Sequence, residues 1–299
     1  TLSAFVLDSF DWKDQEEHNR LARIAVRALD NLLDYQDYPV KEALASKRMR
    51  SLGIGVINYA GWLASNFAKY GEESAEITHE LFERMQYSLI KASVELAKEK
   101  GAMEDIHVSK YGLGQLPIDW YNKHVDELVE PNYVCDWEAL RADLKKYGIR
   151  NATLTAQMPA ETSASISNST NGIEPPRSSI TIKSSKSGAF KQLVPNFEEL
   201  QDEYDYAWDI AKRSNKDYLM NAAIIQKFFD QSISVNTYYV PGSYDNAKVP
   251  MSVMMDDLLY AWYYSIKNMY YHNTHDGVED DEDIKAPVPE VDDCESCKI

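Results

Sequence analysis

The chain has 299 residues, 44% of them hydrophobic, and a formal net charge of −17. That length fits one large domain or two ordinary ones with a real core, and the acidic balance argues against a nucleic-acid-binding surface, because phosphate is held by Lys and Arg. No run of about 18 apolar residues marks a membrane span, no signal peptide opens the chain, and three cysteines without a regular framework suggest a reducing, cytoplasmic setting.

Residues 1–8, TLSAFVLD, alternate in part through Leu2, Ala4 and Val6 and suit a buried strand. A chain that opens on Thr, already inside an element, reads as a piece of something longer, or as a trimmed or processed terminus. Asp14 starts a helical pattern with Leu21, Ile24, Ala25, Ala28, Leu29 and Leu32 on its expected buried face, ending near Tyr38-Pro39. In residues 50–64, RSLGIGVINYAGWLA, Gly53 and Gly55 give G-x-G, but Asn58 holds the third glycine position. The dinucleotide fingerprint therefore fails, and the stretch predicts a strand and a tight turn before a helix. Residues 74–100 predict the longest helix, with Ile77, Leu81, Met85, Leu89, Ala92 and Leu96 in register and Gly101 as its stop. Loop signals fill 101–134, and Asp136 caps a short helix over 137–147.

The segment 151–177, NATLTAQMPAETSASISNSTNGIEPPR, is rich in Ser, Thr and Asn, with Leu154 and Met158 fitting a short buried strand. Residues 179–194 read as a hairpin turning at Lys186-Ser187-Gly188. Helices are expected at 196–212 and 216–231, a strand at 232–236, a helix from Val249-Pro250 through Lys267, and a last strand at 269–273. From Asp276 the chain carries ten acids, two lysines and two prolines, which predicts a mobile tail. Alternation of strand and helix argues an α/β fold with a mainly parallel sheet or a barrel.

Three motifs invite chemistry. Cys294 and Cys297 on the acidic tail fit a redox dithiol, half a zinc site or chance; the only other thiol is Cys135, and the histidines show no ligand spacing near it. Neighbouring acids disfavour a self-sufficient catalyst, whereas a flexible, exposed tail suits thiol exchange. Pro159, Ala160, Glu161, Thr162 and Ser163 form a helix start whose free N–H groups and hydroxyls suit an anion, although an ordinary cap explains them as well. Tyr270 and Tyr271 are adjacent in a predicted strand, where side chains point to opposite faces, so they read first as core or rim aromatics.

Taken together, NATLTAQMPAETSASISNSTNGIEPPR, IQKFFDQSIS, KVPM, YYHNTHDG and CESCKI, with TLSAF, DYQDYP and LGIGVIN, resemble the C-terminal part of the large (alpha) subunit of class I ribonucleotide reductase. The resemblance runs collinearly over essentially the whole chain. It implies the second five-stranded half of a ten-stranded α/β barrel over residues 1–275, followed by a redox tail over 276–299. It implies reduction of ribonucleoside diphosphates to deoxyribonucleoside diphosphates by a radical mechanism. Tyr271, on the subunit-interface side, and Tyr270, next to an active-site cysteine, would relay oxidising power from a small, metal-containing (beta) subunit. Glu161, Thr162 and Ser163 would bind substrate phosphate, with Pro159 and Ala160 at the turn. Cys294 and Cys297 would re-reduce the active-site disulfide and then be reduced by thioredoxin or glutaredoxin.

There are departures. Only Glu295 and Ser296 separate the tail cysteines, where relatives often have four residues, and Ala160 stands where Ser is frequent. Cys135 matches no family cysteine. The family's radical cysteine, its acid–base neighbours and its nucleotide-effector sites fall upstream of the resemblance. The reading is therefore a split or processed enzyme that needs an N-terminal large-subunit polypeptide and the small subunit, and that holds no metal or cofactor of its own. A non-catalytic half-subunit that regulates the small subunit is the alternative. The stretch Met251–Lys267, with Met254, Met255, Leu258, Leu259 and Trp262, reads first as core and second as a dock for a partner's tail.

Overall fold

The computed structural model describes residues 1–185 and 188–275. The tail, with Cys294 and Cys297, lies outside the described residues, as do Lys186 and Ser187 at the hairpin turn. The chain opens with β1 (Leu2–Val6) and α1 (Gln15–Tyr35), followed by α2 (Lys41–Ser46), β2 (Gly53–Ile57), α3 (Tyr59–Ser65) and α4 (Ala75–Lys100). Short helical turns lead through α5 (Pro117–Trp120) to α6 (Trp137–Tyr147) and α7 (Glu161–Ile166). Next come β3 (Ile180–Ser185), β4 (Gly188–Leu193), α8 (Phe197–Leu200), α9 (Ala207–Arg213) and α10 (Lys216–Phe228). The last elements are β5 (Val235–Tyr239), α11 (Met251–Tyr263) and β6 (Met269–Thr274).

The strands pair in twos: β1 with β2 in parallel, β5 with β6 in parallel, and β3 with β4 as the antiparallel hairpin. The expected strand at 153–158 makes single bridges instead of a ladder, Ile54 to Thr155 and Gln157 to Ile233, both parallel. It joins the two parallel pairs through Ile54 N–H to Leu154 O at 2.8 Å and Ser234 N–H to Gln157 O at 3.0 Å. The Gln157 side chain extends this junction. Its Oε1 accepts from Val56 N–H and its Nε2 donates to Val56 O, each at 2.9 Å, so a carboxamide takes the place of a peptide group. Gly55 permits the approach, since a Cβ there would lie 2.6 Å from Ala156 O. Gly53 is also confined, since a Cβ there would lie 2.6 Å from Leu2 Cδ2, so close packing accounts for both glycines of the G-x-G.

Asp14 caps α1, accepting from Glu16 N–H at 2.8 Å, and Asp136 caps α6, accepting from Ala139 N–H at 3.0 Å. α4 is buried along most of its circumference, between α1, α6 and α10, with Leu81, Phe82 and Leu89 fully inside. α1 departs from its expected face: Ile24, Ala28 and Leu32 are exposed, and the buried stripe is His18, Asn19, Ala22, Val26, Leu29, Asp30 and Leu33. The physical reason is polar matching. Asn19 Oδ1 accepts from Ser88 of α4 at 3.0 Å. Asp30 accepts from Arg50 Nε at 2.6 Å and from Asn151 Nδ2 at 3.1 Å.

Two further expectations shift. Residues 196–212 form two short helices, α8 and α9, with a break over 201–206. The strand expected at 232–236 ladders instead over Val235–Tyr239, because Gln231 to Ser234 are taken up by bonds to the 155–157 segment.

Candidate functional site

Tyr270 and Tyr271 do not point to opposite faces. Their ring centroids are 4.1 Å apart with planes at 50°. The cause is a break in the β5–β6 register: Val235 pairs with Met269 and Thr237 with His272, so β6 holds two residues where β5 holds one. Such a bulge re-aims side chains that an unbroken strand would alternate. The rings are 47% and 57% exposed, and the hydrogen bond to Tyr271 raises the Tyr270 phenol above its ordinary range.

Pro159 to Ser163 lie where the 153–158 segment ends and α7 begins. The first helical bond is Ala164 N–H to Ala160 O at 2.8 Å, so the N–H groups of Glu161, Thr162 and Ser163 precede the helical ladder. Ala160 at the helix start offers no side-chain cap. All three side chains are exposed. The turn is fixed from behind: Asn171 Oδ1 accepts from Ala160 N–H at 2.7 Å. Asn58, in the left-handed region with φ 69, ties the following loop to β2 by accepting from Thr170 N–H at 3.1 Å.

A pocket of about 240 Å³ adjoins this turn, lined in part by Glu161, Thr170, Asn171, Glu174, Arg177 and Thr181. Thr170 Oγ1 is buried there and makes no hydrogen bond to another described residue. Burial pushes the Glu174 carboxyl up to about 7, against hydrogen bonds from Asn236 and Tyr238 that lower it. Tyr238 donates to Glu174 Oε2 at 3.3 Å, and Asn236 Oδ1 accepts from Tyr271 N–H at 3.1 Å. Glu174 and Asn236 thus connect the turn-side pocket to the tyrosine pair. Neither residue stands out in sequence: one sits inside NGIEPPR, the other inside an unremarkable strand, and only the fold joins them.

A second polar cluster has no sequence signal either, since its members are dispersed. Lys227, whose side chain is fully buried, donates to His79 Nε2 at 3.0 Å and to Asp126 Oδ1 at 3.2 Å. Burial lowers Lys227 to about 8, and burial together with the Lys227 charge lowers His79 to about 3. A cavity of about 450 Å³ opens beside it, with Tyr111, Trp120, Asp230 and Lys267 among its walls. Cys135 is a free, part-buried thiol whose ionisation burial opposes.

His272 is paired with Thr237 Oγ1 at 2.6 Å, and His275 rests its ring against Trp208. Among the described residues no group of three or more His, Cys, Asp or Glu side chains is placed to hold a metal ion, and no helix is long and apolar enough to cross a membrane. On α11 the core expectation fails: Met255, Leu258, Leu259 and Trp262 are exposed, and Asp257 and Ala261 are the buried residues.

Comparison with known proteins gives the same family throughout. A family model described as the ribonucleotide reductase barrel domain matches residues 1–272. The chain is 59% identical over 299 residues to the ribonucleoside-diphosphate reductase subunit alpha of Enterobacteria phage T4, covering 100% of this chain and 39% of that protein. It is 52% identical over 282 residues to the Haemophilus influenzae subunit alpha, covering 94% of this chain and 37% of that protein. It is 49% identical over 271 residues to Escherichia coli ribonucleoside-diphosphate reductase 1 subunit alpha, covering 89% and 35%. The chain therefore spans under two fifths of the length of these relatives, and it belongs to the ribonucleotide reductase barrel-domain family.

Proposed function

We propose that this chain works as the C-terminal part of a ribonucleoside-diphosphate reductase large subunit, and that Tyr270 and Tyr271 are its radical relay. The observation that carries the reading is the ring contact of 4.1 Å on a bulged strand. Packing has no need of it, because both rings are half exposed. In the relay one electron and one proton leave Tyr271 for the oxidant of the small subunit. Tyr270 then restores Tyr271 by the same transfer, and a cysteine on a complementing large-subunit polypeptide restores Tyr270. The protein positions two phenols so that each hop is short.

The same reading gives Glu161, Thr162 and Ser163 the substrate diphosphate, through N–H groups ahead of the helical ladder. The polar side chains of Glu161, Asn171 and Arg177 that line the adjoining pocket favour a polar ligand there. β1, β2, the 153–158 segment, β5 and β6 are linked in sequential order by parallel pairings, which supports one five-stranded half of a ten-stranded barrel. Cys294 and Cys297 are assigned, from the family resemblance, to recycling of the active-site disulfide by thioredoxin or glutaredoxin.

The test is turnover of a ribonucleoside diphosphate by the assembled enzyme. Tyr270→Phe and Tyr271→Phe each remove the oxidisable hydroxyl and keep the ring, so each is expected to lower kcat by roughly 100-fold or more, the scale of losing a proton-transfer group. Normal kcat in either variant sinks the relay. The exposed apolar face of α11 favours docking of a partner, which a non-catalytic regulator of the small subunit would share. Binding of the small subunit with no turnover by any assembly would favour that second reading.

A further inference from the structure

The placement of the tyrosine pair depends on a break in the β5–β6 ladder, and one side chain fills that break. Between the pairs Val235–Met269 and Thr237–His272, β5 supplies Asn236 alone while β6 supplies both tyrosines. An extra residue in a strand locally disrupts the ladder and takes neighbouring side chains off their alternation. Asn236 Oδ1 accepts the Tyr271 N–H at the bulge, at 3.1 Å. Asn236 is 5% exposed, so its carboxamide is largely shielded from water. Its carboxamide also acts on Glu174, lowering that carboxyl against the effect of burial, and Glu174 Oε2 accepts from Tyr238, two residues along β5, at 3.3 Å. A carboxamide offers an acceptor to a backbone N–H and a donor to a carboxyl group at once. Leu, Val or Ala offers neither.

We infer that Asn236 is a positioning residue for the tyrosine pair: it pins the β6 bulge that brings the rings of Tyr270 and Tyr271 into contact. The inference rests on the relay reading and adds the device that sets the hop. In an unbroken ladder neighbouring side chains alternate faces, and electron transfer between two phenols weakens steeply as the rings separate. Losing Asn236 would slow the hop without touching substrate.

The experiment uses the assembled enzyme with Asn236→Leu, Asn236→Asp, Tyr270→Phe and Tyr271→Phe. Ring contact is read separately by 19F NMR of a fluorotyrosine placed at position 270. Its signal in otherwise unchanged protein, and its shift on Tyr271→Leu, define contact and no contact. Asn236→Leu is expected to lower kcat at least about 10-fold with KM for the nucleoside diphosphate unchanged, as for an interaction that acts on the chemical step alone. It is also expected to move the 270 signal to the no-contact position. Asn236→Asp keeps an oxygen facing the Tyr271 N–H and is expected to keep the contact signal and most of kcat; it also carries the test should Asn236→Leu fail to assemble. A normal kcat in Asn236→Leu, an unmoved 270 signal in it, or loss of contact in Asn236→Asp overturns the inference. If either tyrosine variant turns over normally, the relay reading itself falls. If both are inactive while Asn236→Leu works, only the positioning role falls.

Discussion

Burial raises the Glu174 carboxyl from an ordinary 4.5 to about 7, so the folded state prefers its neutral form. The sign of the linkage follows. Over the window from about 4.5 to about 7 the folded state binds more protons than the unfolded chain, and this group's contribution to stability is lost as pH rises through that window. Glu174→Gln imitates the neutral acid. Urea unfolding of the two proteins from pH 4.5 to 8 is expected to show the variant gaining on the parent up to about pH 7 and holding level above it. A constant offset at all pH values would contradict this. Tyr270, Tyr271 and the Pro159–Ser163 turn read on their own as rim aromatics and an ordinary cap, and drew a proposed role only from the family resemblance of the stretches around them. Glu174 and Asn236 were illegible, because a lone Glu and a lone Asn mean nothing until β5 lies beside β6 and the 170s loop folds over them. The same holds for Lys227, His79 and Asp126.

At the level of elements, periodicity located α4 and α6 well, because α4 is buried nearly all round and α6 has a side-chain cap and a Gly stop. α1 misled because its buried stripe is partly polar. An apolar count finds Ile24 and Leu32, which are exposed, and passes over Asp30, which is wholly buried and holds α1 to the residues before β2 and the 153–158 segment. Among the described residues, Asp30→Ala leaves the buried Arg50 guanidinium with only Asp34 as its carboxylate partner. A loss of about 3 kcal/mol or more in urea unfolding is expected, the usual scale for breaking a buried ion pair; a loss under about 1 kcal/mol would mean the network is not structural. Strand boundaries were the least legible feature. The 153–158 segment is extended but bonds through single bridges and through the Gln157 carboxamide, a substitution of side chain for backbone that no alternation pattern encodes. The β6 bulge likewise leaves no mark on the string MYYHN.

On the scale of the whole molecule, the features fit a chain that works against other surfaces. Among the described residues, α11 shows Met255, Leu258, Leu259 and Trp262 to solvent, β1 and β6 each pair on one side only, and Ile24 and Leu32 of α1 are uncovered. An unpaired strand edge and exposed apolar side chains are what a complementing surface covers. The central claim is that this chain supplies the relay and phosphate-binding half of a nucleotide-reducing barrel. The most direct measurement is formation of deoxyribonucleoside diphosphate when the chain is combined with a complementing large-subunit polypeptide and the small subunit. The account expects product only when all three are present. Product from the chain without the complementing polypeptide, or none from the full mixture although all three co-purify as one assembly, would contradict it.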